Sequence, residues 1–235
     1  KGALLTRRGA AAHPLIVALG QKDRRLRMAC CEAILHLTSE YPFVGVGTLS
    51  DALAYFASAD GQPRILIADN RTSRRQRLIS LFGAAGYKTV ATTSGREAVQ
   101  AAQNQPDCVV GFIASNIGTQ SFQDILHSLR IDARTAQLPI AILVDPDELA
   151  QRRLEADPYP LTMCVIAPHQ ADAAQADIDA LIDLLGIFFV PEQERLAEAS
   201  RAIQMYGELI GRIPDSGTTD RWEQILIGSL QVEAL

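Results

Sequence analysis

The chain has 235 residues, with 22 Lys+Arg against 27 Asp+Glu, a formal charge of −5 and 48% hydrophobic residues. That balance belongs to a folded globular chain and excludes the disordered, collagenous and disulfide-stapled classes. No apolar run approaches the ~20 residues that a bilayer span requires, so no membrane partner is expected.

Near the start, Leu15, Ile16, Leu19, Leu26, Ala29, Ala33, Ile34 and Leu37 recur at helical spacing, broken by Gly20 and the polar run 21–25. This predicts a helix, a tight turn and a second helix. The run D-R-R-L-R-M-A-C-C-E-A-I-L-H-L resembles the second half of a HEAT repeat, in which an Asp at the turn (here Asp23) and an Arg four residues on (here Arg27) tie neighbouring turns together. Another short helix is expected over 49–56. A solenoid unit cannot bury its apolar face alone. The segment 1–60 is therefore expected to dock on the next domain or to belong to a longer array. The chain opens at Lys1 without Met and inside a helical pattern, so a natural N-terminus further upstream is expected.

At Gly61-Gln62-Pro63 the rhythm changes. Residues 64–68 form a short apolar strand ending at Asp69, 73–85 a helix, Gly86-Tyr87 a turn and 89–92 a strand. A helix over 94–104 follows, with Ser94 as its N-cap. Strand 107–113, a helix near 121–129, strand 138–144, a short helix over 146–156, strand 161–166 and a helix over 171–185 complete the series. Alternating strands and helices across 61–187 predict an α/β domain, a doubly wound five-stranded parallel sheet covered on both faces. Asn116-Ile117-Gly118-Thr119 reads as a turn of geometric purpose.

Beyond Pro191, residues Leu196, Ala199, Ile203, Tyr206, Ile210 and Ile213 mark one face of an amphipathic helix. After 214–217 a last helix would carry Trp222, Ile225, Leu226 and Leu230. Segment 188–235 is thus expected to be a C-terminal helical hairpin, packed on the body or on the N-terminal helices.

The segments R-I-L-I-A-D-N, G-Y-K-T-V-A-T-T-S-G-R-E-A-V, Q-P-D-C-V-V-G-F, L-P-I-A-I-L-V and V-I-A-P resemble, in order and spacing, the response-regulator receiver domain over residues 64–186. That resemblance implies a defined chemistry. An acidic pair after the first strand and an aspartate ending the third hold Mg²⁺, and the third-strand aspartate takes a phosphoryl group. A Ser or Thr after strand four and a Lys after strand five neutralise its oxygens. Asp69 matches the first acidic position and Asn70 the second. Counting along P-D-C-V-V-G-F puts Phe112 at the phosphoacceptor position, while Val144 falls on the hydroxyl position and Ala167 on the lysine position. Only Asp69 is retained.

One carboxylate and one amide make a poor magnesium site, and a benzyl side chain cannot attack phosphorus. The expectation is a pseudo-receiver that is not an enzyme, with no catalytic residue, metal or cofactor. Phe112 would fill the old cleft, contributing about 2 kcal/mol of hydrophobic stabilisation.

Other features leave alternatives open. Arg71, Arg74, Arg75 and Arg77 crowd the start of a helix, where positive charge opposes the macrodipole. They form a candidate patch for an anion or an acidic partner, or else they pair with Asp69 and other carboxylates at the sheet's edge. Asp145 and Asp147 either join Asp69 in a carboxylate pair or simply start a helix. His13, His36, His127 and His169 are scattered. Cys30, Cys31, Cys108 and Cys164 lack C-x-x-C or zinc-like spacing and read as buried free thiols in a reducing, cytoplasmic setting. No phosphate-cradling glycine motif is present.

The reading is a non-enzymatic interaction or scaffolding module of a signalling-type protein. By the resemblance, its interaction face includes Arg152, Arg153 and Glu155, on the surface of the fourth and fifth helices and fifth strand. The partner is another protein, another part of the same longer chain or a second copy in a homodimer. The net charge and the lack of a recognition helix disfavour nucleic acid. The alternative is a small-molecule or anion sensor using the crest of the sheet around Asp69, Asn70, Asp145 and the arginines.

Overall fold

The computed structural model describes residues 12–38, 42–214, 222 and 225. These form two compact units, one from residues 62–189 and the other from the described residues of 1–61 and 190–235.

Helices α1 (Pro14–Ala18), α2 (Arg24–Leu37) and α3 (Val46–Ala57) open the helical unit. Asp23 starts α2 because its Oδ1 accepts from the backbone N–H of Arg25 at 2.9 Å and of Leu26 at 3.2 Å, as an N-cap does. Arg27 is buried, its guanidinium over the rings of Tyr55 and Phe56 on α3.

The α/β unit runs β1 (Arg64–Ala68), α4 (Thr72–Ala84), β2 (Lys88–Thr92), α5 (Gly95–Asn104) and β3 (Cys108–Ala114), then a small hairpin of β4 (Asn116–Ile117) and β5 (Gln120–Ser121). It continues through α6 (Phe122–Ile131), β6 (Ile140–Val144), α7 (Leu149–Ala156), β7 (Thr162–Ile166) and α8 (Ala171–Leu185). Ser94 caps α5, and Ser121 with Asp124 makes a capping box on α6. Of the turn expected at 116–119, Asn116 and Ile117 are strand β4, and only Gly118 and Thr119 form the loop of the β4–β5 hairpin.

The main sheet has the order β2-β1-β3-β6-β7, all parallel. The chain winds outward from β1 to β2, then reverses through β3 to β7. This is the doubly wound, flavodoxin-like arrangement implied by the receiver resemblance, with its switch point between β1 and β3. Leu78 and Phe82 of α4 and Ala174, Ile178 and Leu181 of α8 cover one face. Residues of α5, α6 and α7, among them Ala98, Phe122, Leu126 and Ala156, cover the other.

Two sequence expectations need correction. Counting places Phe112 at the cleft, but β3 carries a bulge there: Arg64 pairs with Cys108 and Ile65 with Val110, so Val109 is an extra residue. Phe112 consequently pairs with Ile67, two residues before Asp69. It is fully buried (0% exposed) against Phe82, ring centroids 4.6 Å apart. It belongs to the core beneath the crest, not to the cleft. Gly111 allows this close layer, since a Cβ there would come within 2.6 Å of Ile140 Cδ1.

The second correction concerns α9 (Glu192–Arg212), which packs on α3 in the helical unit. Its buried side carries Arg195, Glu198, Ala199, Ala202, Met205, Tyr206 and Leu209, while Leu196 and Ile210 of the expected stripe are exposed. Apolar spacing found Ala199, Tyr206 and Ile213, which are buried, and Ile203, which packs beside them, but it left out two charged residues that are satisfied internally. Arg24 Nε donates to Glu198 at 2.6 Å, and Arg195 donates to two backbone carbonyls. Tyr206 stacks on Trp222 at 3.4 Å. Trp222 and Ile225 of the expected last helix are helical and join this core, and its other residues lie outside the described ones.

Candidate functional site

The C-terminal ends of the parallel strands form the crest where ligands bind in such sheets. Asp69 follows β1, Val144 ends β6 and Ala167 follows β7, so these three sequence-predicted positions come together there. Val144 and Ala167 are buried and Asn70 is exposed. Because Ala68 pairs with Ile113, the β3 residue abreast of Asp69 is Ala114, followed by Ser115 and Asn116. Residues 108–116 contain no Asp or Glu, so the bulge changes which residue lines the crest without supplying a carboxylate.

Arg71, which precedes α4, and Arg74 and Arg75 of its first turn all bond to the groups at this crest. The Asp69 carboxylate is fully buried (0% exposed); its Oδ1 accepts from the Arg71 N–H at 2.8 Å and its Oδ2 from Arg74 Nε. Arg75 Nη1 donates to the Asp69 carbonyl at 2.7 Å. The Arg71 guanidinium reaches Asp145, with Nη1 on Oδ1 and Nη2 on Oδ2, both at 3.0 Å. Such bidentate, charge-assisted contacts are the stronger kind of hydrogen bond. Since β3 lies between β1 and β6, this pair bridges the end of the central strand. Arg74 adds a looser contact to Asp145 at 3.9 Å.

Two of the four arginines, Arg71 and Arg74, therefore answer the chain's own carboxylates and Arg75 a backbone carbonyl, which explains positive charge at a helix start that the dipole disfavours. Arg77 lies one turn further along α4, its Nε buried without a hydrogen-bond partner among the described residues. Asp145 does not cap a helix: α7 begins only at Leu149, behind Glu148.

The hydrogen bonds from Arg71 hold the Asp145 carboxyl below the usual aspartate range, and Asp145 in turn raises Arg71. A carboxylate depressed in the fold contributes stability that is complete above its unfolded pKa of about 3.9 and is lost as pH falls through the lower folded value. Carboxyl-resonance NMR is expected to show Asp145 titrating below the ordinary value, and Arg71→Ala to return it to that value. An unchanged titration in the variant would remove Arg71 as the cause.

These residues do not fit magnesium. Both Asp69 oxygens and both Asp145 oxygens already accept from guanidinium or backbone N–H groups, and the remaining crest positions are Asn70, Ala114, Val144 and Ala167. Among the described residues no group of three His, Cys, Asp or Glu side chains is placed to hold a metal ion.

Away from the crest, α7 packs on β7 and carries the candidate interaction face. Arg152 bridges Glu148 at 3.2 Å and Glu155 at 2.8 Å, while Arg153 is exposed. Leu154 beside them is 78% exposed, as is Ile166 of β7 at 45%. Cys30, Cys31 and Cys164 are buried and Cys108 is half-buried; burial pushes the Cys31 and Cys108 thiols up to about 12, well away from the reactive thiolate range. Sequence reasoning missed Arg130 at the opposite end of the sheet, which donates to the carbonyls of Leu138, Pro160 and Leu161 and ties the starts of β6 and β7 together. It also missed Arg195. Neither had a local signal, because each is defined by distant carbonyls.

No described helix is long and apolar enough to cross a membrane. No family model matches the sequence, and no curated protein matches it. Among solved structures it is similar to the chemotaxis response regulator CheY4 of Vibrio cholerae, at 19% identity over 51% of this chain and 98% of that one, with a TM-score of 0.46. It is also similar to a response regulator receiver domain protein from Clostridium thermocellum, at 18% identity over 54% and 99%, with a TM-score of 0.47. A third is the receiver domain of a sensor histidine kinase from Pseudomonas aeruginosa, which has a magnesium ion coordinated in its active site cleft, at 15% identity over 52% and 98%, with a TM-score of 0.47.

Proposed function

We propose that the α/β unit is a non-enzymatic protein–protein interaction module of a signalling-type protein. It is a receiver scaffold without its phosphoacceptor, carried by HEAT-like helices. One observation bears the weight: Asp69, the sole acidic receiver position retained, is buried with both carboxylate oxygens bonded to Arg71 and Arg74 of its own chain. Guanidinium stands where the family's chemistry needs a metal, and in-line phosphoryl transfer has neither nucleophile nor counter-charge.

Its partner is another protein or another part of a longer chain, in the cytoplasm. The face offered to it is that of α7 and β7, which carries Arg152, Arg153 and Glu155 and exposes the apolar side chains of Leu154 and Ile166. An anion sensor working at the crest ranks second, because its ligand must first displace Arg71 and Arg74 from two carboxylates.

The test is direct. Incubated with a small-molecule phosphodonor and Mg²⁺, the chain is expected to keep its intact mass. A stoichiometric phosphoadduct would overturn the proposal.

A further inference from the structure

The α/β unit is an insertion: the chain leaves the helical unit at Gly61 and re-enters it at Val190. Helices α3 and α9 pack together although the whole inserted unit separates them in sequence. Such a guest needs its entry and exit strands side by side, and domains tolerate insertion because chain ends commonly lie close together.

Here the two crossings meet on a single side chain. Arg195, in the first turns of α9 and 3% exposed, donates through Nη1 to the carbonyl of Val190 at 2.7 Å and through Nη2 to the carbonyl of Gly61 at 2.8 Å. Gly61 is shaped for the same junction. Its φ is +78°, and a Cβ there would approach Leu196 Cγ to 2.6 Å, so only glycine lets the entry strand lie this close to α9. The connections are short, with β1 beginning at Arg64. On the exit side, exposed Ile187 and Phe188 immediately precede the junction.

We propose that Arg195 is the clasp of a two-stranded neck, a positioning residue that pins the entry and exit of the inserted unit to α9. With the clasp closed, the neck carbonyls are satisfied away from water and the flanking backbone is held. When it opens, the neck frays while each unit keeps its own core. This inference is independent of the chemistry at the crest.

The experiment uses the full chain and two variants, Arg195→Ala and Gly61→Ala. The second strains the same junction without removing a charge. Hydrogen exchange is followed in peptides covering 58–63 and 186–193, together with chymotryptic cleavage at Phe188 and Phe189. Cleavage of a locally opened segment tracks the population of the open form. In both variants the neck is expected to lose protection and cleavage there to rise by about tenfold or more. Exchange in β1, β3 and α3 should stay as in the wild type, and Trp222 fluorescence should stay native. Unchanged neck protection in both variants overturns the proposal. So does a loss spread evenly through α3 and α9, which would make Arg195 an ordinary member of the helical core.

Discussion

Replacing Arg74 by alanine is expected to destabilise the α/β unit by about 3–5 kcal/mol, the usual cost of removing one partner from a buried ion pair. Arg74 is largely buried and Asp69 wholly so, which leaves the stranded carboxylate with little access to water. Its Oδ1 would keep the Arg71 N–H, but Oδ2 would lose its donor. The double variant Asp69→Asn/Arg74→Ala removes the charge along with its partner and should recover much of the loss, because the penalty lies in the unpaired charge. The only tryptophan, Trp222, reports on the helical unit, so the measurement is hydrogen exchange of β1 and β3 amides against urea. If Arg74→Ala fell within about 1 kcal/mol of the wild type, as exposed pairs do, Arg74 would be no more than a surface ion pair.

The other large effect is at Phe112. Truncation to alanine should cost about 3–5 kcal/mol, because the ring is enclosed by Phe82 and the facing strand residues Ile67 and Ala141. Installing an acidic side chain discriminates further between a cleft and a core position. Were Phe112 at the cleft, Phe112→Asp would rebuild a phosphoacceptor. From the register observed, it buries a charge beneath the crest, and the α/β unit is expected to lose its exchange protection and gain no phosphoadduct. Phe112→Asp folding normally, with an adduct, would reverse both the register argument and the functional proposal.

The strands and helices of the α/β unit were legible because the signals are local. β1, β3 and β6 are short apolar runs, Ser94 precedes its helix with Glu97 three residues on, and Gly86 and Gly118 fall in turns. Local composition also shows that no carboxylate ends the third strand, whichever residue the register brings there. The face of α9 was read only in part for the converse reason, since Arg195 and Glu198 look like solvent residues until their distant partners are known.

By itself, then, the sequence determined the order of the five main strands and their helices, the doubly wound sheet and the lack of any Asp or Glu in residues 108–116, all of which depend on residue type and short-range period. Only the tertiary structure decided that Val109 shifts β3 and retires Phe112 into the core. It also decided that Arg71 and Arg74 neutralise Asp69 and Asp145, and that the α/β unit is inserted between α3 and α9. Each of these is a pairing between residues far apart in the chain, and periodicity along one segment carries no information about which distant group will satisfy a buried charge or carbonyl.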